Sequence, residues 1–233
     1  MSRESMAVAM AGRHPSLAGI GQFTREGGKV GFEIGWAEVE RDTAWIHRLF
    51  ELWEIGKGDN VLLTARNSEG PWFGPVVRAL RAIGAVYSNA EPYVWDAKRS
   101  RALLGFLPTQ AMIGVEGEQV EGLLGDEHGT ELLRGVPAIW ARIDAVAPLR
   151  AAGLNPARMA MLGPALAVEC PQRAGLHLDP AEWSIASGPS GLRLSVVGER
   201  EYRGQDLAVG FIGSVDETPC ACGLPGPRIN IDR

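Results

Sequence analysis

The chain has 233 residues, of which 45% are apolar and 22% charged, with a formal net charge of −5. That length supports one sizeable core, and the composition lies far from the low-hydrophobicity, high-charge corner in which whole chains stay unfolded. An acidic balance with no Lys/Arg block offers no field for a polyanion, so no nucleic-acid partner is expected.

Residues 1–22 read as an N-terminal segment. Its apolar stretch, residues 6–11 behind Arg3, is too short for a signal-peptide core or a membrane span and is followed at once by Arg13 and His14, so neither a leader nor a membrane contact is expected. Three cysteines do not make a disulfide framework, which points to the cytoplasm.

Residues 23–35 alternate around Gly27, Gly28 and Lys29 as two extended segments joined by a glycine turn. A helix is predicted over 36–55, with Trp36, Val39, Ile46, Leu49, Phe50 and Trp53 on one stripe and Gly56 and Gly58 as its stop. The short apolar runs 61–65, 85–88 and 111–115 read as strands buried on both faces, separated by helices over 73–83 and 96–106. This alternation predicts an α/β fold, a doubly wound αβα layer over 23–160. From about Ala165 the chain breaks into short strands, 166–170, 183–186, 192–197 and 207–212, between Gly, Pro and Ser turns. A β-rich lobe over 161–233 is therefore expected, the whole forming one compact domain.

All three cysteines fall in that lobe. Cys220 and Cys222 flank Ala221 between Pro219 and Gly223, a tight turn and a poor place for buried apolar thiols, while Cys170 is followed by His177. A structural zinc site takes four Cys or His ligands in a tetrahedron, and these four residues supply the set. The alternative is a buried small thiol, a satisfied histidine and an incidental close pair. The other histidines, His14, His47 and His128, are scattered. Glu116, Glu118, Glu121, Asp126 and Glu127 read as a wet acidic loop. Seven tryptophans, Trp72, Trp95 and Trp140 near sheet ends, suit a core, an interface or an aromatic ligand pocket.

Three segments carry a family resemblance. Residues 163–171 with Gly175, Leu176, His177, Glu182 and Trp183 resemble the Gly-Pro-Gly-x-Ala-x-Glu-Cys, Gly-Leu-His and acidic-aromatic steps of phenylacetate-CoA ligases and coenzyme F390 synthetases. Residues 202–207 are similar to their Tyr-Arg-Thr-Gly-Asp-Leu. Residues 219–223 with 227–229 are similar to their Pro-Cys-x-Cys-Gly and Pro-Arg-Ile. The resemblance implies the fold of the N-terminal domain of adenylate-forming (AMP-binding) enzymes, with Cys170, His177, Cys220 and Cys222 as zinc ligands and Asp206 as a remnant ribose contact.

It also implies what is degenerate. The phosphate loop of the family corresponds to residues 24–30, where Gly27, Gly28 and Lys29 remain but Glu26 puts a carboxylate beside the phosphates. The Tyr-Gly-x-Thr-Glu step, whose glutamate holds Mg²⁺, corresponds to residues 156–160, none of which can ligate magnesium. The family's lysine-bearing C-terminal domain has no counterpart in the sequence before Arg233. The expectation is therefore a truncated, non-adenylating homologue, a pseudoenzyme with structural zinc and without ATP or Mg²⁺. It would bind a small acyl, aromatic, CoA or nucleotide-like ligand, or a protein partner, itself included. The alternatives are repurposed chemistry on an activated acyl group such as a CoA thioester, and a ligase completed by another subunit.

Overall fold

A strand buried on both faces sends alternate side chains into opposite layers, and three strands of this chain do so. In the computed structural model, which describes residues 17–25 and 28–232, β3 (Asn60–Thr64) directs Val61 and Leu63 into one core and Leu62 into the other. β5 (Thr109–Val115) divides Ala111 and Ile113 from Met112 in the same way, and β6 (Ala138–Arg142) divides Ala138 and Trp140 from Ile139 and Ala141. With β4 (Val86–Ala90) and β7 (Ala157–Leu162) they form a parallel layer in the order β4-β3-β5-β6-β7.

Helices α1 (Trp36–Leu52) and α2 (Gly70–Ile83) cover one face. The other is covered by α3 (Ala97–Phe106), α4 (Gly117–Leu124), α5 (Gly129–Arg134) and α6 (Ile143–Ala151). The Glu38 carboxylate accepts the Gly35 N–H at 3.2 Å and so starts α1, while Gly84 closes α2 in the left-handed region at φ 76°. Pro71 in its first turn lets α2 begin three residues earlier than the periodicity alone predicts. The 36–55 helix is shorter than expected, ending at Leu52.

The expected β-rich lobe is not set apart from the layer. β8 (Ala165–Glu169) folds back antiparallel on β7 through a two-residue turn, Gly163 and Pro164, and β9 (Leu176–His177), β14 (Arg228–Ile231) and β13 (Gly213–Asp216) extend the same sheet to nine strands. Gly163, at φ 59°, takes the positive-φ position that such a tight hairpin requires. β10 (Trp183–Gly188), β11 (Gly191–Val196) and the short β12 (Leu207–Ala208) make a separate three-stranded sheet. β12 is only a fragment of the strand expected over 207–212.

Two buried ion networks tie these layers together. Arg200 reaches Glu38 and Asp42 on α1 and Glu182 before β10, and lies 4.4 Å from the centre of the Trp183 ring. Arg41 adds a second bond to Glu182 at 2.6 Å, so the three-stranded sheet is pinned to α1 by charge as well as by packing. The second network lies at the cleft described next.

Candidate functional site

In an open α/β layer the crevice outside the carboxyl ends of the strands is the natural ligand position. There the hairpin of β1 (Leu17–Arg25) and β2 (Gly28–Gly35) arches over the sheet and leaves an open cleft of about 620 Å³. Its walls are Phe23, Trp72, Met161, Val209 and Phe211, and Lys29, Arg66, Ser68 and Glu69 add polar groups. Trp72 donates its indole N–H to the Gly163 carbonyl at 3.1 Å, which fixes the ring against the turn between β7 and β8.

The floor beside the cleft is a closed square of charge. Glu69 accepts two hydrogen bonds from Arg142, one on each oxygen at 2.7 Å, and a third from Arg66 at 3.0 Å. Glu116 in turn pairs with Arg66 and Arg142, each at 2.6 Å. Burial acts against the Glu69 carboxylate, but Arg142 and Arg66 outweigh it and hold its pKa below the usual range, whereas burial prevails at Glu116 and raises it. The network has a backbone cause: β5 bulges at Gly114, φ 97°, which brings the Gly114 carbonyl to Arg142 Nε at 3.1 Å. A Cβ there would lie 2.3 Å from the Thr64 carbonyl. This corrects the reading of the acidic run as a wet loop. Glu116 is buried because the end of β5 meets Arg66, just after β3, and Arg142, at the end of β6, and Glu118 and Glu121 lie on α4.

The sequence-predicted residues divide around this cleft. Lys29 lines it and forms no ion pair with a described residue; Gly28 is the first residue of β2; Gly27 and Glu26 lie outside the described residues. Asp206 does not line it. Its carboxylate is exposed and clamped by Arg193 at 2.5 and 2.7 Å, which holds its pKa below the usual range. Arg158, in the stretch matched to the magnesium step, ties Glu169 at 2.7 Å through both its side chain and its backbone N–H. Of the three tryptophans, Trp72 borders the cleft, Trp140 is fully buried against Phe50, and Trp95 is exposed and stacked on Tyr93. Arg66, Glu69 and Arg142 were missed by sequence reasoning. Their only signal was position, just after or at the end of apolar runs.

At the opposite end of the sheet the four predicted ligands meet. Cys170 follows β8, His177 lies on β9, and Cys220 and Cys222 occupy the β13–β14 connection. Their ligand atoms all fall within 4.8 Å of one another. Cys170 and Cys220 Sγ are 3.7 Å apart, as are Cys222 Sγ and His177 Nε2. Thiolates around an ion at about 2.3 Å stand about 3.8 Å apart in a tetrahedron, so the spacing fits a bound metal, and all three cysteines are unpaired thiols. Burial pushes the Cys170 thiol up to about 12, and burial followed by the Arg228 charge lowers the His177 pKa, keeping the imidazole neutral. Two buried thiols and the half-buried Cys222 meet an imidazole whose Nδ1 has no partner, an arrangement that could hold a metal ion.

No protein-family model matches the sequence, and no curated protein matches it. Solved structures do match by shape. A 2-hydroxyisobutyryl-CoA ligase in an open conformation with 2-HIB-AMP and CoA superposes with a TM-score of 0.66 at 15% identity, over 99% of this chain and 63% of that one. ATP-bound MatB from Rhodopseudomonas palustris gives 0.59 at 12%, over 97% and 52%. The anthranilate CoA ligase AuaEII with anthranoyl-AMP gives 0.59 at 11%, over 92% and 46%. The chain thus spans roughly half to two thirds of these ligases, and at such identity the likeness establishes a shared fold, that of the adenylate-forming CoA ligases. Among the described residues no helix is long and apolar enough to cross a membrane.

Proposed function

Proceeding from that shared fold, we propose that this chain is a ligase-type scaffold, clasped by zinc, that binds a small acyl or aryl carboxylate, or its nucleotide or CoA conjugate. We propose further that it does not form acyl-adenylates on its own. The observation that carries the reading is the cleft at the carboxyl ends of the strands. It joins an aromatic wall, Phe23, Trp72 and Phe211, to the ammonium of Lys29. A partly apolar cleft that carries, beside the carboxylate-paired Arg66, an ammonium forming no ion pair with a described residue suits an anion on an apolar body. The solved ligases of the same fold hold acyl-adenylates or ATP.

Three features argue against adenylation. Triphosphate chemistry needs a hard cation held by oxygen ligands, and here Arg158 brings a positive charge, already neutralised by Glu169, to the stretch matched to that ligand. The chain turns in two residues between β7 and β8, which leaves no loop there to present a carboxylate. Glu26 adds negative charge to the segment matched to the phosphate loop. Glu69 and Glu116 offer no substitute, because Arg66 and Arg142 already occupy their oxygens.

Zinc would be held by Cys170, His177, Cys220 and Cys222, since three thiolates and an imidazole are a soft set suited to that ion. Bound there it supplies cross-linking rather than substrate chemistry, fastening the β13–β14 connection to β8 and β9 at the end of the sheet away from the cleft. An assembly, with itself or with a partner chain, is part of the same reading. The sheet edge at β4 is open and is flanked by exposed Val86, Trp95 and Phe106, the last 84% accessible.

The test is a thermal-shift screen with AMP, CoA, acyl-CoA and aromatic acids, because a ligand that binds only the native state raises its apparent stability. Stabilisation by a carboxylate or its conjugate that disappears in Lys29→Ala supports the reading. Stabilisation by none of these compounds overturns it.

A further inference from the structure

The amino ends of β6 and β7 open onto a second cleft, of about 310 Å³, at the other end of the strands from the first. Its floor is apolar, formed by Leu133, Ile139 and Leu154, and its polar lining is Arg134, Asn155 and Arg173. No carboxylate lines it, in a chain with 28 acidic against 23 basic residues.

The arginines reach this cleft from separate elements. Arg134 is the last residue of α5, and its Nη2 stands 3.9 Å from where a Cβ on Gly153 would lie. Arg173 comes from the turn between Cys170 and His177, where its N–H bonds the Cys170 carbonyl at 3.0 Å and its backbone is held left-handed at φ 52°. Its guanidinium lies 4.9 Å from the centre of the Trp53 ring, which orients the planar fork, and its Nη1 is buried without an acceptor. Neither Arg134 nor Arg173, nor Arg150 at the end of α6, forms an ion pair with a described residue. Burial lowers the pKa of Arg173 first; the Glu169 charge partly offsets this, and the nearby Arg150 charge adds to the lowering.

Elsewhere the buried or half-buried arginines of this chain, Arg66, Arg142, Arg158 and Arg200, are each matched to carboxylates. Here two guanidinium groups that form no ion pair with a described residue line a cleft with an apolar floor, and a buried N–H without an acceptor is unfavourable unless something supplies one. An oxyanion does, and two forks arriving from different directions suit the several oxygens of a tetrahedral dianion better than the two of a planar carboxylate.

We propose that this cleft is a binding site for a phosphomonoester, with the phosphate between Arg134 and Arg173, Asn155 at its rim and a small apolar body on Leu133, Ile139 and Leu154. It is separate from the cleft under the hairpin and adjoins the metal cluster through the turn that carries Arg173.

Isothermal titration of the metal-replete full chain with inorganic phosphate, phenyl phosphate and benzoate tests this. Phenyl phosphate is expected to bind more tightly than inorganic phosphate, and benzoate more weakly than either once Lys29→Ala has silenced the first cleft. Arg134→Gln, at an exposed helix end where folding is not at stake, should weaken phenyl phosphate binding by about ten-fold or more, the loss expected for a charge-assisted hydrogen bond. Arg173→Lys, checked for unchanged metal content, should weaken it similarly, because an ammonium cannot reproduce the fork. The Lys29→Ala chain should retain a phenyl phosphate site that Arg134→Gln weakens. Absence of saturable phenyl phosphate binding in the millimolar range, binding indifferent to Arg134→Gln, or binding lost in Lys29→Ala would each overturn the proposal.

Discussion

Replacing Arg200 by Met probes the network that joins α1 to the three-stranded sheet. The guanidinium is 3% exposed and faces three carboxylates: Glu38 Oε2 at 3.2 Å, Glu182 Oε2 at 2.8 Å and Asp42 Oδ2 at 2.7 Å. Arg41 stays beside Glu182, but Glu38 is left buried with no cationic partner of its own. Asp42, whose pKa burial already raises against the pull of Arg200, loses its main counter-charge. Removing one partner of a buried ion pair costs about 3–5 kcal/mol, most of it the desolvation of the charge left behind. In a domain of this size each kcal/mol lowers Tm by about 2–4 °C, so the expected fall is roughly 6–20 °C. Differential scanning calorimetry at fixed metal content reads it directly. Adding Glu38→Gln to the Arg200→Met chain should recover part of the loss, because it removes the carboxylate left without a cation. A fall of less than about 2 °C would refute the reasoning, since the carboxylates would then be solvated as well as they are in the unfolded chain.

Protein purified without added zinc should carry one zinc per chain by elemental analysis. Cys220→Ser with Cys222→Ser should abolish it and lower Tm, because structural metal binding is coupled to folding; full retention of the metal would sink the ligand assignment. Pyrophosphate exchange by the pure chain, run over a broad panel of carboxylic acids with Mg²⁺, should stay at background, and robust exchange would restore the ligase reading. Light scattering should show an assembly, or a pull-down a partner, with Phe106→Glu weakening either one; a strict monomer with no partner would rule that element out.

The two ends of the sheet now have different roles. The carboxyl ends of β3, β5, β6 and β7 face a cleft under the hairpin, with a charge square locking its floor. At the other end of β7, the return strand β8 runs into the Cys/His cluster, and Arg173 links that cluster to the second cleft. A ligand at either cleft therefore contacts the layer without touching the four candidate metal ligands, none of which lines a cleft.

Much of this was legible in the amino-acid order, for local reasons. Apolar runs such as Val61-Leu62-Leu63 can only be buried on both faces, so the parallel layer followed from them. The convergence of Cys170, His177, Cys220 and Cys222 was readable because two thiols held in one tight turn, with a third thiol and a histidine in the same stretch of short strands, make up a tetrahedral donor set by residue type alone. The run from Glu116 to Asp144 was not: its helices are short, and α6 contains Pro148, so no long periodic stripe announced them. Nor could the sequence join Arg66, Glu69, Glu116 and Arg142, which lie up to 76 positions apart, by count from Arg66 to Arg142, and meet only because three parallel strands end at one level. The same holds for Arg134 and Arg173. A charged side chain in a sequence carries no sign of its partner, and whether it ends up matched by a carboxylate or left to face a cleft is decided by strand order and register alone.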